Sequence, residues 1–218
     1  MIDNRRTTIP SGDSNAATGV IAIALLSCLL IASCATTAPP PEPRYYRLPP
    51  AQPASRVDLP LVAALSVDRF RAGGPYAERP IVYVEPDAPL VLRGYHYHLW
   101  AVPPPELLQE SLVAWLRETG VADRVSRAAG APDTGLVTGR VVRLERESGE
   151  GGALAVVELE LGYRPRAGGA GEWNRIYRST ARPRGKDMHA LVEAFGVALD
   201  EVYARYLKDL SRTLDKPE

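Results

Sequence analysis

Apolar side chains along this chain are spaced in three ways, and each spacing predicts a different element. An unbroken apolar run, Val20–Ala32, stands near the N-terminus. Leu61–Phe70 and Ile81–Glu85 are dense in β-branched and apolar residues and read as strands, with Ala72-Gly73-Gly74-Pro75 as the turn between them. Pro89–Trp100 carries Val91, Leu92, Tyr95, Tyr97 and Trp100 and predicts a third strand. Period-2 alternation is clearest in Leu154–Arg164, where Ala155, Val157, Leu159, Leu161 and Tyr163 alternate with Glu158 and Glu160. Leu136–Glu147 precedes it across a turn at Ser148–Ala153. Trp173–Ala181 follows it across Gly168-Gly169-Ala170-Gly171. Three strands separated by glycine-rich turns predict an antiparallel meander.

Helical spacing appears twice. After Pro103-Pro104-Pro105, the residues Leu107, Leu108, Leu112, Trp115 and Leu116 share one face, and Gly120 suits a C-cap. Proline is tolerated in a first turn, and Glu106 and Glu110 suit its positive end. Asp187 is placed to cap a second helix reaching about Leu214, with a stripe at Leu191, Phe195, Leu199, Val202, Tyr206, Leu210 and Leu214. The fold class predicted is α+β: a mainly antiparallel sheet packed by two amphipathic helices. It forms a single domain after a signal peptide and a Pro-rich tether. The boundaries are residues 1–33 for the signal, 34–44 for the tether and 45–218 for the domain.

Composition sharpens this division. Many of the 20 prolines fall before Leu61, and the tether ATTAPPPEP has no large apolar residue with which to build a core. Proline-rich chain extends about 3.1 Å per residue, giving a reach of roughly 25–30 Å. The remaining ~170 residues are enough for one well-buried core. With 26 basic and 26 acidic residues the formal net charge is zero. That balance gives no electrostatic reason to bind nucleic acid and no polybasic membrane patch.

Val20–Ala32 as a helix spans roughly 20 Å, short of the ~30 Å hydrocarbon core. It reads as the hydrophobic region of a secretory signal. Arg5-Arg6 raises twin-arginine export, but the following Thr-Thr-Ile-Pro fits that signal poorly. The chain's two cysteines, Cys28 and Cys34, lie at the end of this run. Ile31-Ala32-Ser33-Cys34 resembles a bacterial lipobox, in which small residues let extended chain fit a peptidase before the thiol becomes a thioether to diacylglycerol. Leu25-Leu26-Ser27-Cys28 is a second candidate, but it leaves a shorter hydrophobic region and puts a bulky leucine two before the cysteine. Cys34 is the preferred lipidation site, carrying diacylglycerol and an N-acyl chain such as palmitate. The alternative, a Cys28–Cys34 disulfide, has no folded frame to support it. Acyl chains at about 0.8 kcal/mol per buried CH₂ make a durable anchor.

Candidate chemistry is sparse. In Gly94–Trp100, His96 and His98 fall on one face of a strand, and His-x-His can supply two metal ligands. The only other histidine is His189, so no metal site is expected; the histidines would face solvent or a partner while Tyr95, Tyr97 and Leu99 line the core. Arg184-Gly185-Lys186-Asp187 lacks the other glycine and the hydroxyl of a phosphate-binding loop, and GxSxG and HExxH are absent. Glu158 and Glu160 read as a solvated strand face. Neither an enzymatic activity nor a non-covalent cofactor is expected.

Several motifs follow one another in a telling order: the lipobox, the Pro-rich spacer and Tyr45-Tyr46-Arg47-Leu48. Next come Val67-Asp68-Arg69-Phe70, Tyr76-Ala77-Glu78-Arg79-Pro80-Ile81-Val82-Tyr83 and Tyr97-His98-Leu99-Trp100-Ala101-Val102-Pro103-Pro104. Collinear from Cys34 to about Leu210, they resemble the ABC-type transport auxiliary lipoprotein family, the PqiC-like lipoproteins of MCE-type lipid transport systems. Family members often carry Trp-Ala-Glu-Pro after the aromatic strand; here Val102 replaces the acidic residue.

The resemblance implies a non-enzymatic accessory that docks or couples a periplasmic MCE-domain protein, served by an ABC permease and ATPase, to the outer membrane. Phospholipid and a homo-oligomer are possible further partners it implies. Ala35 in place of aspartate favours the outer membrane, facing the periplasm. Tyr45, Tyr46, Arg79, Pro80 and Trp100 are the motif residues carried over, as structural anchors or partner contacts. A function of another kind, a periplasmic scaffold or activator lipoprotein of the TolB-like or penicillin-binding-protein-activator sort, would use a similar mix of helix and sheet.

Overall fold

Eight strands and two long helices follow one another in the computed structural model, which describes residues 39–127, 135–149, 151–165 and 171–215. In chain order they are β1 (Arg44–Tyr46), β2 (Val62–Val67), β3 (Pro80–Val84), β4 (Arg93–Trp100), α1 (Pro104–Thr119), β5 (Ala122–Ser126), β6 (Gly135–Gly149), β7 (Gly152–Arg164), β8 (Trp173–Ala181) and α2 (Met188–Leu214). A single 3₁₀ turn, Gly74–Ala77, precedes β3. Cys28, Cys34 and the Gly168–Ala170 turn lie outside the described residues.

β6 is the spine of one open sheet. β7 runs antiparallel along one of its edges from Leu136↔Arg164 to Gly149↔Gly152, and β8 continues antiparallel beyond β7. This is the meander that the alternation predicts. Two strands share the other edge of β6, both parallel to it. β2 pairs near its start (Leu65↔Gly135) and β3 near its end (Val82↔Glu145). Arg71 bridges the gap, donating its N–H to Gly139 O at 2.9 Å and accepting from Val141 N at 2.8 Å. The sheet thus forks. One arm adds β5 beside β2; the other adds β4 beside β3 and then β1 beside β4.

The class is the expected α+β, with most of the paired length antiparallel and the forked edge parallel. Close approach explains why glycines stand in β6. A Cβ on Gly139 would meet the Phe70 ring at 2.4 Å, and one on Gly135 the Tyr163 ring at 2.5 Å. Aromatic side chains fill the space that a side chain would take.

Both helices have the caps their sequences predict. Gly120 ends α1 at φ 70°, a left-handed conformation that glycine adopts without strain. Asp187 starts α2 by accepting from Ala190 N at 2.8 Å. Helix α1 lies over β2, β5 and β6, and α2 over β7 and β8. They meet through Trp115 and Tyr203, whose ring centroids are 5.8 Å apart. Phe195 on α2 reaches Trp100 of β4, and Tyr206 touches Trp173 and Tyr177 of β8. Buried Ala155, Val157, Leu159 and Leu161 of β7 complete this core. Among the described residues no helix is long and apolar enough to cross a membrane.

Candidate functional site

At the β1–β3–β4 corner the chain must reconcile two registers. Pro80 pairs with Leu99, yet Val82 pairs with Gly94, so a two-residue step on β3 faces five residues on β4. The surplus residues bulge, which bends a strand and re-aims its side chains. Gly94 permits the bend: a Cβ there would stand 2.9 Å from Pro80 Cβ. The re-aiming revises one expectation, that Tyr95, Tyr97 and Leu99 line the core. Tyr97 is exposed, and Tyr95 and Leu99 are half-buried. Trp100, at 1% exposed, is the residue that enters the core.

The bulge gathers all five motif residues. β1 pairs in parallel with the end of β4, Tyr45 opposite Leu99 and Tyr46 opposite Trp100. Arg79 fastens the other side: its carbonyl accepts from Trp100 N at 2.7 Å, and its Nε donates to Trp100 O at 3.1 Å. The same guanidinium lies 4.7 Å from the centre of the Tyr45 ring. Ala101 N donates to Tyr46 O at 2.7 Å. Pro80, which has no N–H to give, begins β3, where a strand loses least by it.

His98 joins the corner. Its Nδ1 lies 2.9 Å from the Tyr46 hydroxyl, and Tyr95 meets its ring edge-on. Burial, and then the Arg44 charge, hold its pKa below the ordinary histidine value. The tautomer of the ring sets which of the two groups donates in this contact. His96 is exposed, and His189 faces Glu193 at 3.4 Å. Among the described residues no three His, Cys, Asp or Glu side chains gather at metal-binding distance.

A second polar cluster gives no clear sign in the sequence. Glu145 of β6 is 2% exposed, on the opposite face from Leu144. It accepts from the Tyr76 hydroxyl and from Arg143, whose guanidinium also reaches Glu147. Burial, reinforced by the Glu145 carboxylate, pushes the Tyr76 pKa above its ordinary value. Every charge in the cluster is answered within it. Glu160, read as a solvated strand residue, pairs across the sheet with Arg140 at 2.5 Å.

At the corner, then, Arg79 holds the backbone of Trp100 through Nε and lies against the Tyr45 ring, and His98 meets Tyr46. What the geometry does is fix the first strand to the folded body.

A sequence model described as ABC-type transport auxiliary lipoprotein component matches residues 46–205. A crystal structure of a protein from Xanthomonas campestris is similar in fold, with TM-score 0.65 at 21% identity, covering 78% of this chain and 96% of that one. A second solved structure gives TM-score 0.62 at 18% identity, covering 78% and 99%. No curated protein matches the sequence.

Proposed function

The chain belongs to the ABC-type transport auxiliary lipoprotein family, and on that premise we propose that it is a non-enzymatic accessory of an MCE-type phospholipid transport system. In this reading Cys34 is lipidated, residues 34–44 form the tether, and the body couples a periplasmic MCE protein to the outer membrane. An ABC permease and ATPase supply the energy elsewhere, since this chain has no phosphate-binding loop. The observation that carries the reading is the extent of the family match, which runs from β1 into α2.

The corner supports it. A protein that connects a membrane to a conduit must pass load from its tether to its body, and β1 is held by β4 and by the Arg79 guanidinium against Tyr45. Tyr45 is 57% exposed beside Arg79 and offers a partner an aromatic and cationic surface.

The test is purification of the full-length protein from membranes in mild detergent. An MCE subunit recovered together with permease, ATPase and phospholipid is the expected result. Recovery with cell-wall synthases and no lipid transporter would replace this reading with the scaffold or activator one. The anchor is tested separately by mass spectrometry, which should find an acylated peptide beginning at residue 34. A mature chain keeping residues 1–33 would overturn it.

A further inference from the structure

One end of the sheet combines features that are otherwise dispersed over the surface. The β3–β4 hairpin ends in Leu90-Val91-Leu92, and these side chains are 96%, 48% and 39% exposed. The tip is built rather than frayed: Ala88 N donates to Glu85 O at 3.1 Å and Val91 N to Ala88 O at 3.0 Å, with Pro86 and Pro89 stiffening the turns. Three consecutive exposed apolar residues on a stiffened turn call for a partner surface.

Strand registers place two more features at the same end. Val84 pairs with Glu147, Gly149 with Gly152, and Ala155 with Ala181. The β6–β7 turn and the β8–α2 connection therefore stand beside the hairpin, across about 20 Å of sheet. That connection carries Arg182, Arg184 and Lys186. A cleft of about 390 Å³ lies between it and the hairpin base, lined by Tyr95, Arg146, Arg182 and Lys186. Of the acidic side chains here, Asp187 caps α2 and Glu85 faces Arg146 at 3.8 Å, while Asp87 lies in the turn. Among the described residues Arg93, Arg184 and Lys186 have no ion-pair partner.

The direction of β1 completes the geometry. It runs parallel to β4, and β4 starts at the hairpin tip. Arg44 is therefore the end of β1 nearer the tip, and the chain arrives from that side. Opposite His98, Arg44 stands roughly 10 Å short of the end of β3, well within the ~25–30 Å reach of the tether.

We propose that the end of the sheet bearing Leu90-Val91-Leu92 rests on a lipid surface. The three apolar side chains enter the headgroup–acyl boundary, and Arg93, Arg182, Arg184 and Lys186 face lipid phosphates. Apolar side chains flanked by cations are the chemistry of interfacial binding, and cations pair with phosphate oxygens. The proposal rests on the reading of Cys34 as the anchor, and it adds an orientation: the body stands on the bilayer on this end.

The test uses the full-length lipoprotein reconstituted in vesicles of phosphatidylethanolamine and phosphatidylglycerol. A polarity-sensitive dye is attached at Val91→Cys and, as a control, at Val197→Cys, which replaces an exposed residue of α2. Emission at position 91 should rise on the order of threefold and be quenched by spin-labelled lipid, while position 197 stays aqueous. Substitution of both leucines, Leu90→Ser and Leu92→Ser, should abolish the quenching with the protein still folded and acylated. A label at 91 that remains aqueous in vesicles overturns the proposal. So does efficient disulfide cross-linking of two copies through Val91→Cys on the vesicles, because a second copy of the chain would then cover the tip. Failure of the anchor shows differently, as labelling of Cys28 or Cys34 in the protein without an added cysteine. The tip is then judged in Cys28→Ala, Cys34→Ala, Val91→Cys protein, whose label should still be quenched on vesicles that it binds.

Discussion

Glu145 shows how a single residue can matter without being part of any reaction. Its carboxylate is buried, with Arg143 and the Tyr76 hydroxyl as partners. Glu145→Ala would leave the Tyr76 hydroxyl without its acceptor and Arg143 with Glu147 alone. The expected loss is about 2–3 kcal/mol, measured by denaturant unfolding, because breaking a buried pair costs more than the pair contributes. A loss under about 0.5 kcal/mol would mean that Glu147 replaces it fully. Gly139→Val addresses packing: its side chain would collide with Phe70, at an expected cost of about 1–3 kcal/mol.

His98 gives a pH signature. Its folded pKa lies below the ordinary value, so between the two values the unfolded chain binds more protons. Stability from this site is present above about pH 6.5 and declines as the pH falls through that window. Melting temperature should fall on acidification more steeply in the wild type than in His98→Gln. Parallel curves would contradict this.

Elements differ in how clearly the sequence announces them. The stripe of α2 and its Asp187 cap place that helix almost to the residue, and the alternation in β7 does the same for its strand. Asp187→Ala should cost about 1 kcal/mol and fray the first turn, seen as faster amide exchange near Ala190. β1 and β5 were not legible. β1 has three residues and exists because β4 offers an edge for Tyr45 and Tyr46. β5, Ala122–Ser126, includes Asp123 and Arg124 and is held by β2 and by the Arg117 guanidinium, which donates twice to Val125 O at 2.9 and 2.7 Å. Both depend on partners distant in sequence, which no local period encodes. The bulge in β4 was hidden for the same reason, since a register jump belongs to a pair of strands. The motif residues could be read one by one, but not their convergence, which needs that bulge and the β1 pairing together.

The whole body depends on β6, the one strand to which both arms of the fork and the meander attach. Its loss would free all of them at once, so unfolding should be cooperative. Trp100 lies in one arm, Trp115 on α1 and Trp173 in β8, so tryptophan fluorescence samples distant parts. It should report the same midpoint as circular dichroism. Separate midpoints would show that an arm melts alone. The pairing of β1 also has a mechanical consequence. A pull applied at Arg44 along the axis of β1 would load the ladder from Arg44 to Tyr46 in shear, with the Tyr46–Ala101 bond sharing the load. The bonds must then yield together instead of opening one after another like a zip. Three residues of strand thus act as a tension-bearing joint, far stiffer along the direction of pull than across it.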